Sequence, residues 1–263
     1  MNKYEQHSEK SIHLTLVTLL FFLFISHSSF TQHKSHPFKK GEKLTYSMHF
    51  GWFEVGKAEI SIDPELEYVD GKAHYSVQCS IYTAPWVKFF RNFNACYESL
   101  VNAQTLKPLV SYRDLKSGRE IDIRTDKFYY GDSVKVHAYV EDLDENRYHT
   151  FGKKDVPILD FLSTYLHVRN VNFEKSDEPV EVRTFYSNTL YEFQMFPQAH
   201  QTYNLKSRKV KARELKLEFP ENEMFKKGKH GSLIISEDKE KLPLRVDINI
   251  ILGSFILKLQ EDK

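Results

Sequence analysis

One stretch of this chain has the spacing of a helix, and almost everything else beyond residue 40 has the spacing of strands. In residues 155–170, DVPILDFLSTYLHVRN, the side chains Ile158, Leu162, Tyr165 and Leu166, with Arg169 continuing, recur every three or four positions, as one helix face requires. Asp155 offers an N-cap and Pro157 a first-turn proline, where a missing N–H costs nothing. The spacing therefore predicts a helix over about 156–169. Asp160, Thr164 and His167, with Ser163 beside them, form the opposite polar stripe, facing water, a ligand or the sheet rim. A β-rich shell with one helix needs that helix to close an open face or plug an interior.

The strand readings rest on alternation. Over 41–50, Leu44, Tyr46, Met48 and Phe50 share one face and Thr45, Ser47 and His49 the other. Gly51 and Gly56 bracket a turn, and Ala58, Ile60 and Ile62 carry its partner strand up to Pro64. After a turn at Asp70-Gly71 come strands at 75–82 and 92–100, joined by the aromatic connection APWVKFFRNF. More follow at 109–115, 119–130, 134–140 and 148–151, then after the helix at 180–186, 190–196, 209–219, 231–236, 244–251 and 255–260. In the second of these, Ile121 and Ile123 alternate with Glu120, Asp122 and Arg124. Short strands without α/β alternation predict a mainly β protein, an antiparallel sandwich, barrel or strongly curved sheet, with the helix packed on it.

Residues 14–25, LTLVTLLFFLFI, are apolar without a break and are followed by Ser26, Ser28, Ser29 and Thr31. A run of this length suits a secretory signal better than a bilayer span, although an uncleaved anchor is the rival reading. Residues 1–31 are accordingly read as a cleaved signal, and 32–263 as one β-rich domain with a flexible lead at 32–40. The expected location is the periplasm or outer envelope, with no transmembrane span after cleavage. Removing Lys3, Lys10, Glu5 and Glu9 leaves the formal charge at +1, which excludes a nucleic-acid partner as a natural reading. Two basic clusters, at 206–211 and 226–229, read as solvated loops and strand ends.

Export would permit a disulfide between Cys79 and Cys96, which a hairpin places nearly opposite each other. Alternation argues against it: Cys79 shares a face with Tyr75, Val77 and Ile81, and Cys96 with Asn94 and Glu98. Two separate buried thiols are the other reading.

The familiar nucleophile elbow, zinc-protease helix, phosphate-binding loop and dinucleotide fingerprint are absent from the sequence, so no catalytic residue, metal ligand or cofactor is assigned. Asp160 and His167 lie on one side of the helix but two turns apart, about 10 Å, which suits anchoring better than direct acid–base work. Arg113-Asp114 and Glu120-Ile121-Asp122 bring carboxylates near one hairpin, the raw material of glycoside hydrolysis and equally of solvated strand pairs. Trp52, Phe53, Trp86, Phe89 and Phe90 stand in connections between strands, where aromatics mark contact surfaces.

The segments PFKKGEKLTYSMHFGWFEVGKAEI, YESLVNAQTLKPLVSYRD, ILDFLSTYLHVR and ISEDKEKLPLRVDINIILGSFILKL together resemble the bacterial domain-of-unknown-function family 3108 over about residues 38–259. The resemblance implies an exported envelope protein with a curved antiparallel sheet and a helix, distantly similar to half-open barrels that carry lipids or lipoproteins. It implies no catalytic residue. It marks Asp160, Ser163, Tyr165 and Arg169 as a patterned set. The expected function is therefore a non-enzymatic binder of a lipid, lipoprotein acyl chain or other amphiphile in a β-cup, or of an envelope protein partner. The alternative is an envelope glycan-active enzyme or glycan-binding module. The binding candidates are Trp52, Phe53, Trp86, Phe89, Phe90, Arg113, Asp160, Tyr165 and Arg169. An apolar lining beneath the helix would favour lipid, and a polar and aromatic one glycan.

Overall fold

Two meanders of strands meet along one seam. The structure, a computed structural model, describes residues 36–88, 93–173, 177–206, 208–220, 230–250 and 253–260. The expected secretory signal, Phe89, Phe90 and the 226–229 basic cluster lie outside the described residues. The first meander comprises β1 (Lys43–Phe50), β2 (Phe53–Val69), β3 (Lys72–Thr83), β4 (Phe93–Asn102), β5 (Pro108–Ser117), β6 (Glu120–Tyr130), β7 (Ser133–Val140) and β8 (Glu145–Gly152). The second comprises β9 (Ile158–Leu159), β10 (Val180–Tyr186), β11 (Thr189–Leu205), β12 (Arg208–Glu218), β13 (His230–Ser236), β14 (Pro243–Ile250) and β15 (Gly253–Gln260). Each runs neighbour to neighbour, and antiparallel pairing of β1 with β15 joins them into one open sheet of 15 strands, with β8 and β9 at its two ends. The β9–β10 pair is parallel. A single helical turn, α1 (Pro85–Lys88), links β3 to β4, and α2 (Phe161–Asn170) follows β9.

The sheet curls until its two ends share a core. Phe128, Val134 and Val136 from β6 and β7 pack in one apolar cluster with Ile158 of β9 and Phe185 of β10, and the Tyr130 hydroxyl donates to the Ile158 carbonyl at 2.7 Å. Bulges at Met48/His49, Ile62/Leu66 and Pro197/His200 supply local bending. This is the expected curved sheet or half-open barrel. Its interior is occupied by α2, whose Leu162 and Leu166 join Tyr46, Ile62, Val77 and Leu244 in the largest core cluster.

Four local expectations are corrected. The helix begins at Phe161, with Asp160 rather than Asp155 as its N-cap: Ser163 N–H donates to Asp160 Oδ1 at 2.7 Å and Asp160 N–H donates to Ser163 Oγ at 2.9 Å. That reciprocal capping box outcompetes the Asp155/Pro157 signal, and Ile158-Leu159 pair with β10 instead. β2 does not end at Pro64, because the bulge between Ile62 and Leu66 takes the proline out of the ladder. The lead is not flexible from His36 onward: Phe38 is buried, stacked with His36 and set edge-on to Tyr75. On β6 the predicted phase is reversed, with Arg124, Asp126 and Phe128 buried and Ile121 exposed. Phe128, committed to the core shared by the two sheet ends, sets that phase for the strand.

The cysteines follow the alternation argument. Cys79 pairs with Tyr97, and Cys96 with Ser80, so the two thiols project from opposite faces and both are free. Cys79 is buried, but Cys96 is only half-buried, which corrects the reading of two buried thiols.

Candidate functional site

α2 lies across the inner face of the curled sheet. Its tail meets Glu42, just before β1, and the β13–β14 turn at Glu240. Its head follows β9, which runs parallel to β10 toward the β10–β11 turn. A small half-open recess of about 20 Å³, room for roughly one or two waters, lies at that head.

Strand pairing assembles much of the recess. Tyr97 on β4 is the register partner of Arg113 on β5, which is the partner of Arg124 on β6, so three side chains form one row on one face. Asp126 lies two residues further along the same face, and Asp160, Phe161, Phe185 and Tyr186 complete the far wall. Arg113, Arg124, Asp126 and Asp160 are each at most 7% exposed. Arg113 donates from Nη2 to Asp122, and its guanidinium lies 4.6 Å from the centre of the Tyr186 ring. Asp122 is shared, because its other oxygen is 3.9 Å from Arg124 Nε. The Tyr97 and Tyr186 hydroxyls are 3.2 Å apart, and the Phe161 ring lies 5.2 Å from Tyr97.

Hydrogen bonding within this cluster is incomplete. Arg113 Nε, Arg124 Nη1 and Asp126 Oδ1 are buried without a hydrogen bond among the described residues, as are Arg124 Nε and Asp122 Oδ1, which face each other at 3.9 Å. Buried polar groups are paired as a rule, so this concentration sets the cluster apart from the apolar core around it. Burial pushes the Asp126 carboxyl up to about 6; Arg124 and Arg113 pull it down, while Asp160 and Asp122 add to the rise. Burial also raises Asp160, against its bonds to Ser163. Arg124 is held below the usual guanidinium value by burial and by the Arg113 charge beside it.

Of the predicted site residues, the structure brings Arg113 and Asp160 together here. Tyr165 and Arg169 lie toward the other end of α2, where the Tyr165 hydroxyl stands 3.4 Å from both Tyr46 Oη and Arg169 Nη1. Asp114 pairs with Lys116 at 3.1 Å outside the recess, and the Asp160 carboxylate is engaged as a cap. Tyr97, Arg124, Asp126, Phe161 and Tyr186 were not anticipated. The available signal was the β6 phase: counting back from Phe128 in steps of two reaches Asp126 and Arg124.

The loop aromatics form a second feature. Trp52 is 97% exposed on the β1–β2 turn, and exposed Phe53 lies 6.1 Å from Trp86 of α1, whose indole donates to Glu54 O at 3.1 Å. Phe50 packs 5.2 Å from Phe255 and lies over Gly253, where a Cβ would meet the ring at 2.7 Å. Phe53 and Trp86 thus form an exposed pair, with exposed Trp52 on the adjoining turn, and none of the three lines the recess.

An open, mostly antiparallel sheet curled around one helix defines the class: a β-barrel-like protein. Residues 45–260 match the family described as "Protein of unknown function (DUF3108)", and the chain belongs to that family. It is similar in fold to the crystal structure of a beta-barrel-like protein of domain of unknown function DUF1849 from Brucella abortus. That likeness has a TM-score of 0.54 at 8% identity, covering 83% of this chain and 95% of the other. No curated protein matches the sequence. Among the described residues, no helix is long and apolar enough to cross a membrane.

Proposed function

We propose that this protein is exported to the cell envelope and acts there by binding rather than catalysis, taking a glycan against the aromatic and polar surface around the shallow recess at the head of α2. The lining carries this reading: aromatic walls from Tyr97, Phe161 and Tyr186 around the polar floor of Arg113, Arg124 and Asp126. Rings that stack on a sugar face, with hydrogen-bonding groups between them, are the usual composition of a polar ligand site. The expectation of an acyl chain beneath the helix is not supported, because Leu162, Leu166 and Tyr165 fill that space against the sheet. Binding is preferred over hydrolysis because the Asp160 carboxylate caps α2 and Asp126 shares its site with two guanidinium groups.

Calorimetric titration with neutral and acidic mono- and disaccharides tests the reading. Saturable heat is expected from at least one sugar, weakened about threefold to tenfold by Phe161→Ala through loss of a stacking ring. No heat from any of the sugars, at concentrations up to tens of millimolar, would overturn it.

The exposed rim supports a second reading, contact with an amphiphile or an envelope partner through Trp52, Phe53 and Trp86. Co-sedimentation with phospholipid vesicles that is lost on Trp52→Ala/Phe53→Ala would establish this separately from recess binding. Equal recovery of the wild type and the double variant would remove it.

A further inference from the structure

The end of the sheet that carries the exposed aromatics is apolar on one face and basic on the other. On β1, Tyr46 is buried, Met48 partly buried and Phe50 37% exposed, so the inner face runs out of the core to the strand end. Register places Phe53 of β2, Phe50 of β1, Phe255 of β15 and Ile248 of β14 in one row across four strands. Trp52 stands beyond that row on the β1–β2 turn, where Gly51 N–H donates to Ser254 O at 3.1 Å, and Trp86 lies beside Phe53. Side chains alternate along a strand, so Ser47 of β1 faces outward, and its row holds Lys57 of β2, Lys258 of β15 and Arg245 of β14. We propose that this end of the sheet docks on an anionic phospholipid bilayer, with Phe53, Phe50, Phe255 and the two tryptophans set into the headgroup boundary and Lys57 and Lys258 against lipid phosphates. This rests on the second reading above and names the amphiphile as an anionic bilayer surface.

Dimensions and charge both fit a bilayer. Ser47 lies three residues from Phe50, about 10 Å along the strand, and apolar surface bound at a bilayer interface sinks about 5–10 Å into it. The ammonium groups of the lysine row then stand at the level of the phosphates, their stems lying along the sheet. Arg245 is paired with Asp247 at 2.9 Å, whereas Lys57 and Lys258 have no carboxylate at ion-pair distance among the described residues. Lys88 is exposed at the end of α1, and Glu54 lies opposite His49 on the outer face. Lys57, Lys258 and Lys88 against Glu54 leave a positive surplus at this end, which complements anionic headgroups. Tryptophan at the tip suits the same boundary, where one side of the ring meets acyl chains and the other water.

Trp52 and Trp86 are the chain's two tryptophans, so intrinsic tryptophan fluorescence reports this end alone. The test titrates the full chain with phosphatidylcholine vesicles, with and without phosphatidylglycerol, whose acyl chains carry bromine as a quencher. Tryptophan emission is expected to shift to shorter wavelength and to be quenched. Partition should be at least about tenfold stronger on the anionic vesicles and should weaken with added salt. Lys57→Gln/Lys258→Gln should lose most of that preference, and Phe53→Ser/Phe255→Ser should weaken partition about tenfold on the anionic vesicles. Should the second variant fail to fold, Phe53→Ser alone, at an exposed site, decides. Equal quenching on the two vesicle types overturns the anionic surface and leaves amphiphile contact standing. Vesicle binding without quenching, as tethering through the apolar run at 14–25 would give, overturns the docking end. Absence of binding to either vesicle also overturns it, and together with equal sedimentation of wild type and Trp52→Ala/Phe53→Ala it removes the second reading as well.

Discussion

Arg169, whose side chain has no exposed surface, meets the Glu42 carboxylate with both terminal nitrogens, Nη2 standing 3.1 Å from Oε2, and so ties the tail of α2 to the start of β1. The same guanidinium donates to the Glu240 carbonyl at 2.9 Å and faces the rings of Phe38 and Tyr165. A buried ion pair broken from one side leaves a charge without compensation, at a cost of about 3–5 kcal/mol. Arg169→Ala and Glu42→Gln should each lower the melting temperature by roughly 10 °C. The paired change Arg169→Met/Glu42→Leu should recover much of that loss, because no buried charge remains. Sugar binding in the recess should be unchanged in the folded variants, which separates a latch from a ligand site.

The capping box makes a smaller contribution at the other end of the helix. Ser163→Ala removes one of two reciprocal bonds and should cost about 1 kcal/mol in denaturant unfolding, while Asp160→Asn, which keeps an acceptor for the Ser163 N–H, should cost less. Equal losses from the two variants would mean that Asp160 matters through its charge rather than its cap.

Asp126 makes stability depend on pH in an unusual direction for an aspartate. Its folded-state pKa of about 6 lies above its ordinary value of 3.8, so the folded state holds the proton more tightly than the unfolded chain. The carboxyl therefore favours folding fully below about pH 4, and this contribution is lost as the pH rises through 6. The difference amounts to about 3 kcal/mol. Asp126→Asn cannot titrate, so wild type minus Asp126→Asn stability should fall by that amount between pH 4 and pH 8. A difference constant across that range would show that Asp126 ionises normally.

The two thiols should behave differently. Burial pushes the Cys79 thiol up to about 12 and also raises that of half-buried Cys96. A thiol reagent should label Cys96 slowly in the native protein and Cys79 only after unfolding, giving two free thiols in total. One blocked pair would contradict the opposite-face register.

Much of this arrangement was legible in the sequence, and the misreadings have physical causes. Val134, Val136 and Ala138 on β7 announce a buried face by alternation, and the structure buries them. The principal helix was visible at 3.6-residue spacing, but two plausible N-caps stand five residues apart, and only Asp160 has Ser163 three positions on. β11 extends to Leu205, past the predicted end at 196, because Pro197 keeps its place opposite Leu215 and a bulge between Pro197 and His200 lets the pairing resume. For the recess, Arg113 and Asp160 could be named, whereas Arg124 entered only as part of the alternation along its strand and Asp126 was not singled out. What brings them together is the register of three successive strands, which sets Tyr97, Arg113 and Arg124 in one row and which alternation within a single strand does not reveal.

The central claim, that the surface at the head of α2 is a ligand site, is tested most directly by following the side-chain Nε–Hε signals of isotope-labelled arginine during titration with a sugar that gives saturable heat in calorimetry. The account predicts that the Arg113 and Arg124 signals shift and exchange more slowly with solvent as the sugar saturates, while that of Arg169 stays in place. Unmoved Arg113 and Arg124 signals at saturating sugar, or shifts confined to arginines outside the recess, would contradict it.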